Sequence, residues 1–389
     1  MKKLFLLFLV LGLNQLMAQK HSIEGNIKGL GNDTIYIEYL PVSQLYIIDT
    51  PQRDTVFSRK GKFYYDNSTL EPIIILFLPK KCEYKRVGGN IYRPNEKYIF
   101  LVLKSGERLK IDGDLKELYI DYSVKGSEFN EEYSILRKSY IEKTSEAVSI
   151  ELKLDTLISK KGNKEAINEL FKKRNEINSL ERINSLEFIK NNWNKELSAY
   201  LLTDQPLDTL GKYLGHLKPE LRIGIFKNAL TRQYTNFRKY TLAREAEKTI
   251  KIGGIAPDFT SRSLTGNELS LSSFKDKYIV LDFWGSWCGP CMVGLPKMKE
   301  YYSKYKDKIE FIGIGCNDKE DRLKQAIQKN KLEWPQVINN EEIENDVSVK
   351  YGIKNFPTKF ILDKERKIVA KFIGEGESFY NKIDELFKQ

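Results

Sequence analysis

Two cysteines separated by two residues, Cys288 and Cys291, stand directly after the apolar run Tyr-Ile-Val-Leu-Asp-Phe-Trp at 278–284. A helical pattern follows at once, with Met292, Leu295, Met298, Tyr302 and Tyr305 recurring at three- and four-residue steps. The pair therefore marks the junction of a buried strand and a helix. The first turn of a helix offers unpaired N–H groups and the positive end of the macrodipole. Both favour an anion, by about 0.3–1 kcal/mol for the dipole alone. A thiol at that position ionises more readily than a free one, and the thiolate is the species that attacks disulfides.

A Cys-x-x-Cys can also be half of a zinc site, but tetrahedral zinc needs four ligands. Only Cys82, Cys316, His21 and His216 remain, and none forms a second close pair. No metal is expected. A purely structural disulfide is the other bland reading. Beside an alternating strand and helix pattern, redox chemistry is the stronger one.

The N-terminus carries Lys2-Lys3, an apolar stretch over residues 4–13 broken only by Gly12, and then Ala18-Gln19. This reads as a secretory signal peptide over residues 1–18, too short to span a bilayer comfortably. A periplasmic location follows as the expectation, with membrane association only through an uncleaved segment. Four cysteines in 389 residues are too few for a disulfide-stapled scaffold, so the domains must stand on their cores. The net charge of +11 comes from 64 basic residues interleaved with 53 acidic ones along the chain. There is no Arg-rich stripe, and nucleic acid is not an expected partner.

Residues 19–126 carry short strands rich in Ile, Tyr and Phe, separated by turn signals such as Gly31-Asn32-Asp33 and Ser105-Gly106. That spacing predicts an all-β, sandwich-like domain. Residues 127–250 shift to Glu, Lys, Leu, Ile and Asn at helical spacing, a helical linker or bundle with breaks at Pro206 and Pro219. Residues 251–389 alternate strand and helix and end in a hairpin and a closing helix. The expected product is a mostly parallel α/β sheet covered on both faces. A helix is predicted near residues 341–351 and a strand over 334–338.

The third segment resembles the thioredoxin superfamily, and within it the TlpA/ResA-like secreted thioredoxins. Ala256-Pro257-Asp258-Phe259, the stretch Phe283-Trp284-Gly285-Ser286-Trp287-Cys288-Gly289-Pro290-Cys291, Pro296 and Phe356-Pro357-Thr358 match in order and spacing. The likeness spans roughly residues 252–389. Residues 21–127 look like a β domain of unknown function often found before such modules. The resemblance implies a thioredoxin fold, with Cys288 the exposed attacking thiol and Cys291 the resolving one. Pro357 would be a cis-proline facing them, with the Phe356 backbone pairing to substrate. Trp287 packs beside the site, and Gly289 and Pro290 complete the substrate-facing loop. Asp282, an acid inside an apolar strand, is either a solvated residue at the strand edge or, as the resemblance implies, the buried acid that takes the resolving cysteine's proton.

Two departures from the pattern stand out. The usual lysine on the neighbouring strand is replaced by Gly313 and Gly315. The glutamate that TlpA/ResA-like chains often carry three residues after the second cysteine is Gly294 here. Cys316 ends a neighbouring strand and is either an inert strand-end thiol or an extra one near Cys288. Cys82 reads as incidental.

The expected function is a protein disulfide reductase outside the cytoplasm. It needs no cofactor, since no Gly-x-Gly-x-x-Gly unit serves a nicotinamide, and it takes electrons by thiol exchange from a membrane electron donor. An oxidase or isomerase using the same residues stays open. So does a surface ligand-binding protein in which the thioredoxin module is secondary. A peroxidase is disfavoured, because Gly285-Ser286 does not supply the Pro-x-x-x-Thr-x-x-Cys that chemistry needs.

Overall fold

The computed structural model describes residues 21–47, 50–67, 70–340 and 342–388. The expected signal peptide lies outside them. The chain divides into two compact units, one through Tyr234 and one from Thr235 onward.

In the first unit the alternating Ile, Phe and Tyr residues build two four-stranded sheets. One runs in the order Ile120–Lys125, Arg108–Leu115, His21–Lys28, Lys62–Asn67; the other runs Gln52–Ser58, Asp33–Pro41, Ile73–Pro79, Ile99–Leu103. All neighbours pair antiparallel except His21–Lys28 with Arg108–Leu115. Ile27, Phe63 and Ile111 from the first sheet share one core with Ile37, Phe77 and Leu101 from the second. This is the sandwich that the strand spacing predicts. Two long helices follow, Glu128–Ser159 and Lys164–Asn191. Asn163 caps the second by accepting from the Glu165 and Ala166 N–H groups at 2.7 and 3.1 Å. The helical breaks at Pro206 and Pro219 are observed: one helix ends at Thr203, the next starts at Leu207, and a short one opens on Pro219. A further helix, Lys227–Thr249, contains the boundary between the units.

The second unit holds a five-stranded sheet. Its strands are β1 (Tyr278–Trp284), β2 (Ile309–Gly315), β3 (Gln336–Ile338), β4 (Thr358–Leu362) and β5 (Ile368–Ile373). The order is β3-β2-β1-β4-β5, parallel among the first three and antiparallel from β1 to β5. The helices are α1 (Gly289–Tyr305), α2 (Glu320–Asn330) and α3 (Glu377–Phe387). Because side chains alternate along a strand, β1 serves two cores. Val280 and Trp284 join Leu295, Met298 and Ile383 on one face. Ile279, Leu281 and Phe283 join Ile312, Ile314 and Phe360 on the other. This is a thioredoxin-like sheet, with α1 starting where the central strand ends.

Two expected elements are shorter than predicted. The strand near residues 334–338 is Gln336–Ile338, and the helix near 341–351 is a single turn, Val347–Lys350. Asp346 caps that turn through the Val349 N–H, so the chain cannot have been helical through it.

Candidate active site

β1 delivers the chain to a tight turn, where the Cys288 N–H donates to the Gly285 carbonyl at 3.0 Å. Asp318 holds this turn, accepting from the Ser286 N–H at 2.5 Å and the Ser286 hydroxyl at 3.0 Å. Cys288 is the N-cap of α1, and its Sγ accepts from the Cys291 N–H at 3.2 Å. The helix therefore aims an amide at this sulfur, as the strand-to-helix placement demands. Cys288 and Cys291 are joined as a disulfide, with an S–S distance of 2.00 Å.

Cys288 is only 3% exposed and Cys291 4%. The expectation of an exposed attacking sulfur is corrected for this oxidised form: the Cys288 sulfur is turned inward onto the first turn of α1, bonded to Cys291. Its neighbours are open, however. Trp287 is 50% exposed, and Gly289 and Pro290 are also exposed. The Trp287 indole N–H donates to the Cys316 carbonyl at 3.0 Å, and its ring meets the Phe356 ring edge-on at 5.4 Å. The Phe356–Pro357 bond is cis.

Beneath the disulfide, on the same face of the sheet, lies Asp282, 2% exposed. Directly across the β1–β4 ladder its partner is Lys359, 1% exposed. The Lys359 Nζ stands 3.6 Å from Asp282 Oδ1 and 2.8 Å from Glu375 Oε2. Asp282 Oδ1 has no hydrogen-bond partner among the described residues. Burial pushes the Asp282 carboxyl above its ordinary range; Lys359 pulls it down and Glu375 pushes it further up. Burial pulls Lys359 down, but the Asp282 and Glu375 carboxylates more than offset this and leave it raised.

Residues 252–371 match the AhpC/TSA family. The thiol-disulfide oxidoreductase ResA of Bacillus thuringiensis subsp. konkukian is 32% identical over 144 residues, covering 37% of this chain and 80% of that protein. The chain belongs to the ResA-like thiol-disulfide oxidoreductases. The thioredoxin-like protein YneN of Bacillus subtilis is 31% identical over 144 residues, covering 36% of this ResA-like chain and 82% of YneN. Among solved structures, the thioredoxin domain of a thiol-disulfide oxidoreductase from Bacteroides vulgatus is 34% identical, covering 35% of this chain and 97% of that one at a TM-score of 0.33.

The structure brings Cys288, Cys291, Trp287 and the Phe356–Pro357 bond of this ResA-like protein to one edge of the sheet, with Asp282 buried behind. The lysine missing from the Gly313 and Gly315 positions is not absent. It stands on the opposite neighbour of β1, as Lys359. Sequence reasoning missed it, although a lysine directly before the apolar run Phe360-Ile361-Leu362 carries a signal akin to the one that flags Asp282. The gap at Gly294 is also filled: a Cβ built there would lie 2.4 Å from the Glu375 carboxyl carbon. Cys316 is fully buried in the core of the other sheet face, and its thiol is pushed well up, chiefly by burial. Its carbonyl, not its sulfur, touches the site, through Trp287. Cys82 is buried too, its thiol raised to about 11 by burial.

Proposed function

We propose that this enzyme reduces disulfides of proteins outside the cytoplasm. The observation that carries the reading is the Cys288–Cys291 disulfide at the head of α1, with the Cys291 amide on the Cys288 sulfur. In the reduced enzyme the Cys288 thiolate attacks one sulfur of a substrate disulfide. A mixed disulfide forms, and the other substrate sulfur leaves as a thiolate that takes a proton from water. Asp282 then accepts the Cys291 proton. The Cys291 thiolate attacks Cys288, the intrachain disulfide forms, and the second substrate sulfur leaves. The second substrate thiolate takes a proton from water as the first did, and Asp282 passes the Cys291 proton back to water; the enzyme pair thus gives up two electrons and, with Cys288 already ionised, one proton. A thiol donor on the membrane returns the pair by the same exchange. Trp287, Gly289, Pro290, Phe356 and Pro357 form the surface that meets the substrate.

The reductase direction rests on the Gly289-Pro290 dipeptide, and the extracytoplasmic location on the signal-like residues 1–18. Residues 19–126, 127–250 and 251–389 remain the proposed working parts, with the last carrying the chemistry. Insulin-disulfide reduction by wild type and Cys288→Ala tests the activity. The variant is expected to lose turnover by at least about a hundredfold, and equal turnover would favour the ligand-binding reading. Cys291→Ala is expected to accumulate substrates as mixed disulfides on Cys288. A reduction potential above roughly −180 mV, toward the oxidising end of this fold, would overturn the direction.

A further inference from the structure

The Asp282 carboxylate and the Glu375 carboxylate share one ammonium, and the share is unequal. Lys359 Nζ is in hydrogen-bond reach of Glu375 at 2.8 Å but stands off Asp282 at 3.6 Å. Glu375 is held in place from two sides. The chain leaves β5 through Gly374, at φ +83°, whose N–H donates to the Pro357 carbonyl at 2.8 Å. The Tyr380 hydroxyl of α3 donates to Glu375 Oε1 at 2.6 Å. The carboxylate then lies against the backbone of α1 at Gly294, where any side chain would displace it. A glutamate from beyond β5 thus reaches the underside of the redox helix only because α1 carries glycine there.

We propose that Glu375 is a positioning residue for the redox reaction: it draws Lys359 away from Asp282 and so keeps Asp282 able to bind and release a proton beneath the cysteines. This rests on the proton-acceptor role given to Asp282 above. The titratable groups around Asp282 are Lys359 on β4, Glu375 after β5, Tyr380 on α3 and Cys316 at the end of β2. The charges that act on Asp282 are those of Lys359, which lowers its pKa, and Glu375, which raises it. With the Glu375 charge removed, two effects act in the same direction. Asp282 loses a repelling neighbour, and Lys359 is free to close on it. Both favour the ionised carboxylate.

The test reads the Asp282 carboxyl directly, by carbon-13 NMR titration of the full oxidised protein labelled at aspartate, with Asp282→Asn to assign the signal. Glu375→Gln is expected to lower the proton affinity of Asp282 about tenfold, and Lys359→Met to raise it by a similar factor. Gly294→Ala should act like Glu375→Gln, because its methyl group expels the carboxylate without changing any charge. Gly294→Asp combined with Glu375→Ala returns a carboxylate close to the same place and should restore the midpoint. An unmoved midpoint in Glu375→Gln, or shifts of the same sign in Glu375→Gln and Lys359→Met, would overturn the proposal. Turnover decides the earlier reading separately: Asp282→Asn with undiminished insulin reduction would end the proton-acceptor role, whatever the titration shows of Glu375.

Discussion

Asp282 is a carboxyl group placed mid-strand with an unsatisfied oxygen and an ammonium just beyond hydrogen-bond distance. Such a group is costly to ionise, and the cost has a pH signature. Its folded pKa is raised above the unfolded value, so below about pH 4 the carboxyl is protonated in both states and carries no penalty. As pH rises past that value the unfolded chain ionises first, and stability falls until the folded pKa is passed. Asp282→Asn removes this slope. Its stability relative to wild type is expected to improve by about 1–2 kcal/mol between pH 4 and pH 8, measured by urea denaturation of the oxidised proteins. A difference that stays constant across that range would mean Asp282 does not titrate abnormally. The odd acid in an apolar run was legible as a signal in the sequence. Its partner is not legible there, because the β1–β4 pairing that sets Lys359 opposite Asp282 is a tertiary register that no local pattern encodes.

The junction of β1 and α1 is the element on which the chemistry depends, and most of it was readable. Strand, turn, cysteine pair and helix follow from the residue pattern, and the Phe356–Pro357 cis bond is where the motif implies. What holds the turn was not readable. Asp318 lies beyond β2 and reaches back to accept two hydrogen bonds from Ser286. Charge-assisted bonds of this kind fix the loop that presents Cys288. Asp318→Ala is expected to loosen the turn and cost about 1 kcal/mol of transition-state stabilisation, roughly a five- to tenfold fall in kcat/KM for insulin reduction. Its denaturation midpoint should change little, since Asp318 is only partly buried at the surface. A variant with wild-type kinetics would show that the turn is rigid without Asp318. The shortfall of the helix near residues 341–351 has a similar origin: Asp346 spends its carboxylate on Asn339, Ser348 and the Val349 N–H, which stops a longer helix.

At the scale of the whole chain, sequence composition places a change of character near residue 250, whereas the compact units part at Tyr234 and Thr235, inside a continuous helix. The residues from 235 to 249 belong physically with the thioredoxin-like unit. Lys239 reaches Asp346 at 2.9 Å, and Asp346 is 2% exposed. Gly352, at φ +62°, lies so close to the helix that a Cβ there would fall 2.7 Å from the Glu247 nitrogen. Burial pushes the Asp346 carboxyl up, but Ser348, Asn339 and Lys239 together outweigh it and hold the group below its ordinary range. A folded pKa below the unfolded one stabilises the unit above about pH 4, and that contribution is lost as pH falls through the folded value. A fragment of residues 251–389 lacks the Lys239 partner and leaves a buried carboxylate poorly compensated. It is expected to be about 3 kcal/mol less stable at pH 7 than a fragment of residues 235–389, and this gap should narrow below pH 4, where Asp346 takes up its proton. Lys239→Met within the longer fragment should reproduce most of the loss. Equal stability of the two fragments across pH would show that the helix segment contributes nothing to the redox unit, and that the compositional boundary is also the physical one.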